Sequence, residues 1–150
     1  MSNSLLNLTV TAATAFALLS LGGGLYEFLV VDPFWPKRPD LIQPDCGGIS
    51  RKRFWIPAHT VFELNLILAL VLAWNQLDLR FWLLVALGSH ATMRIWSAFD
   101  FIPKALAFER AATVDEGAAR KWSRRSRFRF PLDLLTCFSL LAGLGIVCRG

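Results

Sequence analysis

The sequence predicts an all-α integral membrane protein, a four-helix bundle with a basic amphipathic helical segment between its third and fourth spans. Three observations predict it. Hydrophobic residues fill 55% of the 150 positions, with 12 Phe and 6 Trp, more than a soluble domain of this length usually carries. Four segments approach the roughly 20 apolar residues needed to cross a hydrocarbon core. The cations gather almost entirely on one side of those segments.

The first span covers residues 5–31. Its leading stretch, "MSNSLLNLTV", has no basic region and no small-residue cleavage site follows, so a retained helix is expected rather than a secretory signal. The second span covers 55–74 and the third 80–99. The short connection "NQLDL" makes these two antiparallel neighbours. The fourth span covers 131–148 and opens on Pro131, a residue suited to a first helical turn. Trp55 and Trp74 bracket the second span, and Trp82 and Trp96 the third, as in the aromatic belts of membrane helices. One domain accounts for the whole length.

Charge fixes orientation. The net charge is +5. The loop after span one carries Lys37, Arg38, Arg51, Lys52 and Arg53. The loop after span three carries Lys104, Arg110, Arg120, Lys121, Arg124, Arg125, Arg127 and Arg129. The opposite side has only Arg80 and Arg149. The positive-inside rule therefore places both long loops in the cytoplasm and both termini in the periplasm of a bacterial inner membrane. Within the second long loop, Pro103 suits the opening of a helical turn. Thr113 and Glu116 have the spacing of a capping box. Trp122, Phe128 and Phe130 interleave with arginines, the pattern of a helix lying on an anionic membrane surface over about 103–129. The same run does not read as a nucleic-acid site, being short and tethered beside two spans. The first loop has prolines at 33, 36, 39 and 44 and the pair Gly47-Gly48. Regular structure is not expected there, and Phe34 and Trp35 suit a segment folded back on the membrane surface or a lid.

Ionisable residues inside spans face the protein interior or a wet cavity. Glu27, His59, Glu63, His90, Arg94 and Asp133 all fall toward the cytoplasmic ends of their spans. His59 and Glu63 are four residues apart, as are His90 and Arg94, so each pair shares a helix face. Glu27 shares its face with Ser20, Gly23 and Gly24, small residues that let membrane helices approach. One shared polar cavity is the economical expectation, with Glu27, His59, Glu63, His90 and Arg94 as candidate catalytic residues. His59, Glu63 and His90 also form a candidate metal-ligand set, since two imidazoles and a carboxylate suit iron or zinc. The alternatives are a purely structural hydrogen-bond network and a metal-free proton-transfer site. The three cysteines, Cys46, Cys137 and Cys148, show no metal-binding spacing.

In "GGGLYEFLVVDPFW", "WIPAHTVFELNL" and "SHATMRIWSAFDF", the chain resembles the anthrone-oxygenase-like family of small four-helix bacterial membrane proteins. The resemblance lies in length, helix plan and the Gly-rich first helix. It implies a small hydrophobic aromatic substrate and oxygen chemistry, and it transfers no catalytic residue. The stretch "FERAATVDEG" lacks the asparagine and spacing of the glutathione-linked four-helix membrane family. Glu27 lies near a span end, unlike the central glutamate of small multidrug transporters. Three functions stay open. The first is a membrane enzyme, an oxidoreductase among the possibilities, acting on a hydrophobic aromatic or quinone-like substrate. The second is an accessory or assembly subunit of a larger membrane complex. The third is a small proton-coupled transporter. Homo-oligomerisation is compatible with each.

Overall fold

A computed structural model describes residues 2–149 and the side chains of residues 4–149. Among these residues the chain is helical, without a strand. The helices are α1 (Ser2–Tyr26), α2 (Lys52–Leu72), α3 (Leu77–Trp96), α4 (Ile102–Arg110), α5 (Glu116–Ser126) and α6 (Phe130–Val147). Among the described residues, three helical stretches are long and apolar enough to cross a membrane: Ser4–Val31, Lys52–Leu72 and Glu116–Val147. The α3 helix, which holds Asp78, Arg80, His90 and Arg94, does not join them.

Periodicity explains the packing. Leu6, Val10, Ala13 and Ala17 are buried along one stripe of α1, at the three- and four-residue spacing of a helix face. Their counterparts are Phe62, Leu66 and Ala69 on α2, Leu79, Leu83 and Ala86 on α3, and Cys137 and Leu140 on α6. Thr9 and Thr14 are buried on α1 and return their hydroxyls to the carbonyls of Leu6 and Val10, which removes the cost of unpaired polar groups. The main contacts run from α2 to α1, from α1 to α6 and from α6 to α3. Ser89 of α3 and Thr136 of α6 share a hydrogen bond of 2.8 Å. Although the link between α2 and α3 is short, the two helices touch only lightly. Sequence adjacency set their antiparallel order, while the small and apolar faces turned each mainly toward other partners.

A second core forms at the other end of these helices. Trp35 and Ile42 of the first long loop bury against Phe101, Ala119 and Trp122. The first loop is therefore a folded cap with two 3-10 turns, Pro39–Ile42 and Pro44–Cys46, where irregular chain was expected. Proline supplied the fixed φ those turns use, and buried Trp35 supplied the anchor. Gln43 donates from Nε2 to the carbonyls of Phe108 and Ala111, at 3.1 and 2.8 Å. It thereby satisfies the open C-terminal carbonyls of α4. Gly48 lies so close to the backbone of Asp40 and Gln43 that a Cβ has no room.

The basic segment differs from a surface-lying helix. Trp122 points inward, with Nε1 donating to the Phe101 carbonyl at 3.2 Å, while Phe128 is exposed. Aromatic–aromatic packing with Trp35 and Phe108 won over lipid contact for this ring. The helix start also differs. Asp115 is the N-cap of α5 and accepts from the Ala118 amide. The expected Thr113–Glu116 box does not form, and Glu116 instead pairs with Arg120 one turn on. Pro103 and Pro131 do stand in the first turns of α4 and α6.

Candidate functional site

Between the two cores lies a cavity of about 510 Å³. Its walls come from Ser20 and Gly24 of α1 and Glu27 and Phe28 just after it, from Trp55, Ile56 and His59 of α2, from Met93 and Arg94 of α3 and Ser97 just after it, and from Phe130 and Asp133 of α6. The cap contributes Asp32, Arg51, Glu109 and Trp122. Two π-helical turns, Glu27–Val31 and Ser97–Phe101, border it. A π turn widens a helix by one residue and re-aims its side chains, which is why such turns recur at functional sites. Nothing in the spacing of apolar residues announced either one.

Three of the acids at the cavity, Glu27, Asp32 and Glu109, each have their own partner. Glu27 accepts from the Trp55 indole at 2.8 Å. Asp32 accepts from the Trp35 indole at 3.0 Å. Burial pushes the Asp32 carboxyl above the usual aspartate range, and the Trp35 bond offsets this only in part. Glu109 faces Arg51 at 3.7 Å and Lys52 at 3.2 Å. The Arg51 guanidinium also lies near the faces of Trp35 and Trp122, at 6.0 and 5.5 Å, an arrangement that favours a cation. Arg129 donates to Ser97 Oγ at 2.8 Å and lies 4.4 Å from the centre of the Phe101 ring. Its acidic neighbours are Asp133, Glu27 and Asp32. Arg129 is thus a cation at the cavity beside Asp133, in addition to Arg94.

Of the sequence-derived candidates, Glu27, His59 and Arg94 line the large cavity. His90 borders a small void beneath it, together with His59, Ser20 and Asp133. Glu63 lines neither. It lies at the seam between α2 and α3, 38% exposed. There a single oxygen, Oε1, takes His90 Nε2 at 3.1 Å and Arg94 Nε at 3.1 Å. An ionised carboxylate only accepts, so His90 Nε2 is the donor in that bond. His59 stacks on Trp55, centroids 5.2 Å apart and planes at 19°, and its ring centre is 5.5 Å from that of His90.

The geometry has a simple origin. A four-residue step advances a helix by about 400°, so Glu63 stands about 40° round from His59. Buried His59 occupies the centre of the α2 face, and Glu63 falls at its edge. The proposed His59, Glu63 and His90 metal set is not assembled for this reason. Among the described residues, no three His, Cys, Asp or Glu side chains converge as metal ligands. Arg94 on the Glu63 carboxylate also opposes a cation there.

Asn65 bonds the Val61 carbonyl of its own helix. Asp100 meets Lys104 and Arg125. Tyr26 is exposed. Arg51 and Arg129 read in the sequence as loop charges, and Asp32 and Glu109 lie in the same two loops. For Asp32, Arg51 and Arg129, position beside a span end was the one available signal that they turn inward.

No family model matches this chain, and no curated protein or solved structure is similar to it.

Proposed function

We propose that the chain is a small inner-membrane enzyme. In this reading α1, α2, α3 and α6 cross the bilayer, the cap faces the cytoplasm, and both termini are periplasmic. The substrate is a hydrophobic aromatic or quinone-like molecule that enters the cavity between the helices. One observation carries the reading: a cavity of about 510 Å³, the size of a small-molecule site, joins aromatic walls to buried polar groups. Phe28, Trp55, Ile56 and Phe130 suit the flat apolar body of a ring. Glu27, His59, Arg94 and Asp133 suit its polar end. His59 is the candidate general base, being a buried imidazole stacked in place by Trp55, and Arg94 stabilises negative charge developing on the ligand. Glu63 is a positioning residue that orients His90 and Arg94 without reaching the cavity.

Gly24 provides the test. A Cβ there meets Phe130 at 3.9 Å and Trp55 at 4.0 Å, ordinary contact distances. The backbone therefore accepts Gly24→Leu, while the rest of the side chain projects into the cavity. A photoreactive alkyl quinone added to the purified protein in detergent should label cavity residues, mapped by mass spectrometry. In Gly24→Leu that labelling should fall about tenfold or more, as expected when a well-packed apolar group is displaced. Equal labelling of both proteins, or labelling confined to the outer helix faces, would favour an accessory subunit whose polar groups serve only stability.

A further inference from the structure

Beneath the large cavity lies a void of about 10 Å³, bordered by Ser20, His59, Phe62, His90, Asp133 and Thr136. That is close to the least space that holds one water. Two of the residues that border it each carry a buried polar atom with no hydrogen-bond partner: Ser20 Oγ and His59 Nδ1. Leaving such an atom unpaired in the interior costs about 1–3 kcal/mol. Thr136 gives its hydroxyl to Ser89 and to the Leu132 carbonyl. His90 is engaged by Glu63. The polar demand at the void therefore comes from Ser20, His59 and Asp133, one residue each from α1, α2 and α6. A water molecule has the two donors and two acceptor sites that this trio requires, whereas a larger ligand does not fit.

We propose that this void is a built site for one water molecule, and that the water passes a proton between His59 and Asp133. When the imidazolium of His59 gives its Nδ1 proton to the water oxygen, the water gives one of its own to the Asp133 carboxylate. The water is regenerated, one N–H bond is lost and one O–H bond is formed. The step converts a charged pair into a neutral pair and needs no other reactant. Both residues also border the large cavity, so the relay runs along the floor of the ligand chamber. This deepens the reading of His59 as a base, but the water site exists whether or not the large cavity takes a quinone-like ligand.

The test uses no ligand, so its failure is distinct from failure of the enzyme reading. The chain has two histidines, and nitrogen-15 labelling of histidine gives two resolvable rings in the detergent-solubilised protein. Magnetisation transfer from water should reach the His59 ring in the native protein. Ser20→Val fills the void and removes the hydroxyl, so transfer to His59 should vanish while His90 keeps its shifts. Asp133→Asn keeps size and water contact but cannot accept the proton. Proton exchange at the His59 ring should then slow by about a hundredfold, the usual scale for losing a positioned acid or base. Persistent water transfer in Ser20→Val would overturn the site. Unchanged exchange in Asp133→Asn would overturn the relay, and this variant decides alone if Ser20→Val does not fold.

Discussion

At the residue scale, the consequences of a side chain here depend on which edge of its helix it occupies. His59 and Glu63 are one turn apart on α2, yet one is buried at the cavity and the other is half-exposed at a seam. Removing the Glu63 carboxylate strands two partners at once, since His90 and Arg94 share its Oε1. Glu63→Ala should lower stability by about 1–3 kcal/mol, read as a lower melting temperature in detergent. Glu63→Gln, which still offers an acceptor to Arg94, should recover a large part of that loss. If the two variants melt alike, the shared oxygen does not tie α2 to α3. Gly48 illustrates the same dependence in the cap. Its closeness to the Asp40 and Gln43 backbone leaves no space for a methyl group, and main chain cannot move aside as a flexible side chain can. Gly48→Ala should therefore destabilise the cap by about 1–3 kcal/mol and speed proteolysis within the first loop. An unaltered cleavage rate would count against the close approach.

At the scale of elements, the two long loops are one structure. Trp35 from the first and Trp122 from the second meet edge to face at 5.8 Å, with Phe101 and Phe108 around them. Trp122→Ala removes the ring that touches all three. A loss of about 3–5 kcal/mol is expected, the range for a large aromatic in a packed core. Hydrogen exchange should then rise in both loops together, because Gln43 and the α4 carbonyls lose their shared support. A rise confined to α5 would mean the loops fold separately. This cap also forms the roof over the cavity, since Trp122, Phe101 and Arg51 belong to both. Stability of the cap and access to the site are accordingly linked.

At the scale of the whole molecule, the two exposed cysteines report orientation. Cys46 lies in the cap and Cys148 at the far end of α6, and both are exposed, whereas Cys137 is buried. In a bacterial inner membrane, a membrane-impermeant maleimide should label Cys148 in intact spheroplasts and Cys46 only after the membrane is inverted or opened. Labelling of Cys46 from the periplasmic side would reverse the proposed orientation. Labelling of both from one side would leave an odd number of crossings. The less apolar α3 would then be the helix to exclude, since it is the one among the four packed helices that does not qualify as a span by composition.

Much of this architecture follows from the chain alone. Long apolar runs demanded helices, and Pro103 and Pro131 marked two helix starts because their missing N–H costs nothing in a first turn. The two cation-rich loops were legible as companions on one side, and the cap shows them packed together. The clustering of Glu27, His59, His90 and Arg94 near one level was legible too, because helical rise converts position into depth. Tertiary structure decided the rest. Whether Glu63 enters the cavity turns on about 40° of helix rotation, which the four-residue spacing does not resolve. Whether Arg129 and Asp32 are loop charges or site charges depends on where the cap seats. The burial of Trp122 depends on Trp35, 87 positions earlier in the numbering, and local sequence around either ring is equally consistent with a membrane surface. Periodicity records which face of a helix is apolar. Only packing, through the competition between partners for that face, determines what each polar residue at its edge will meet.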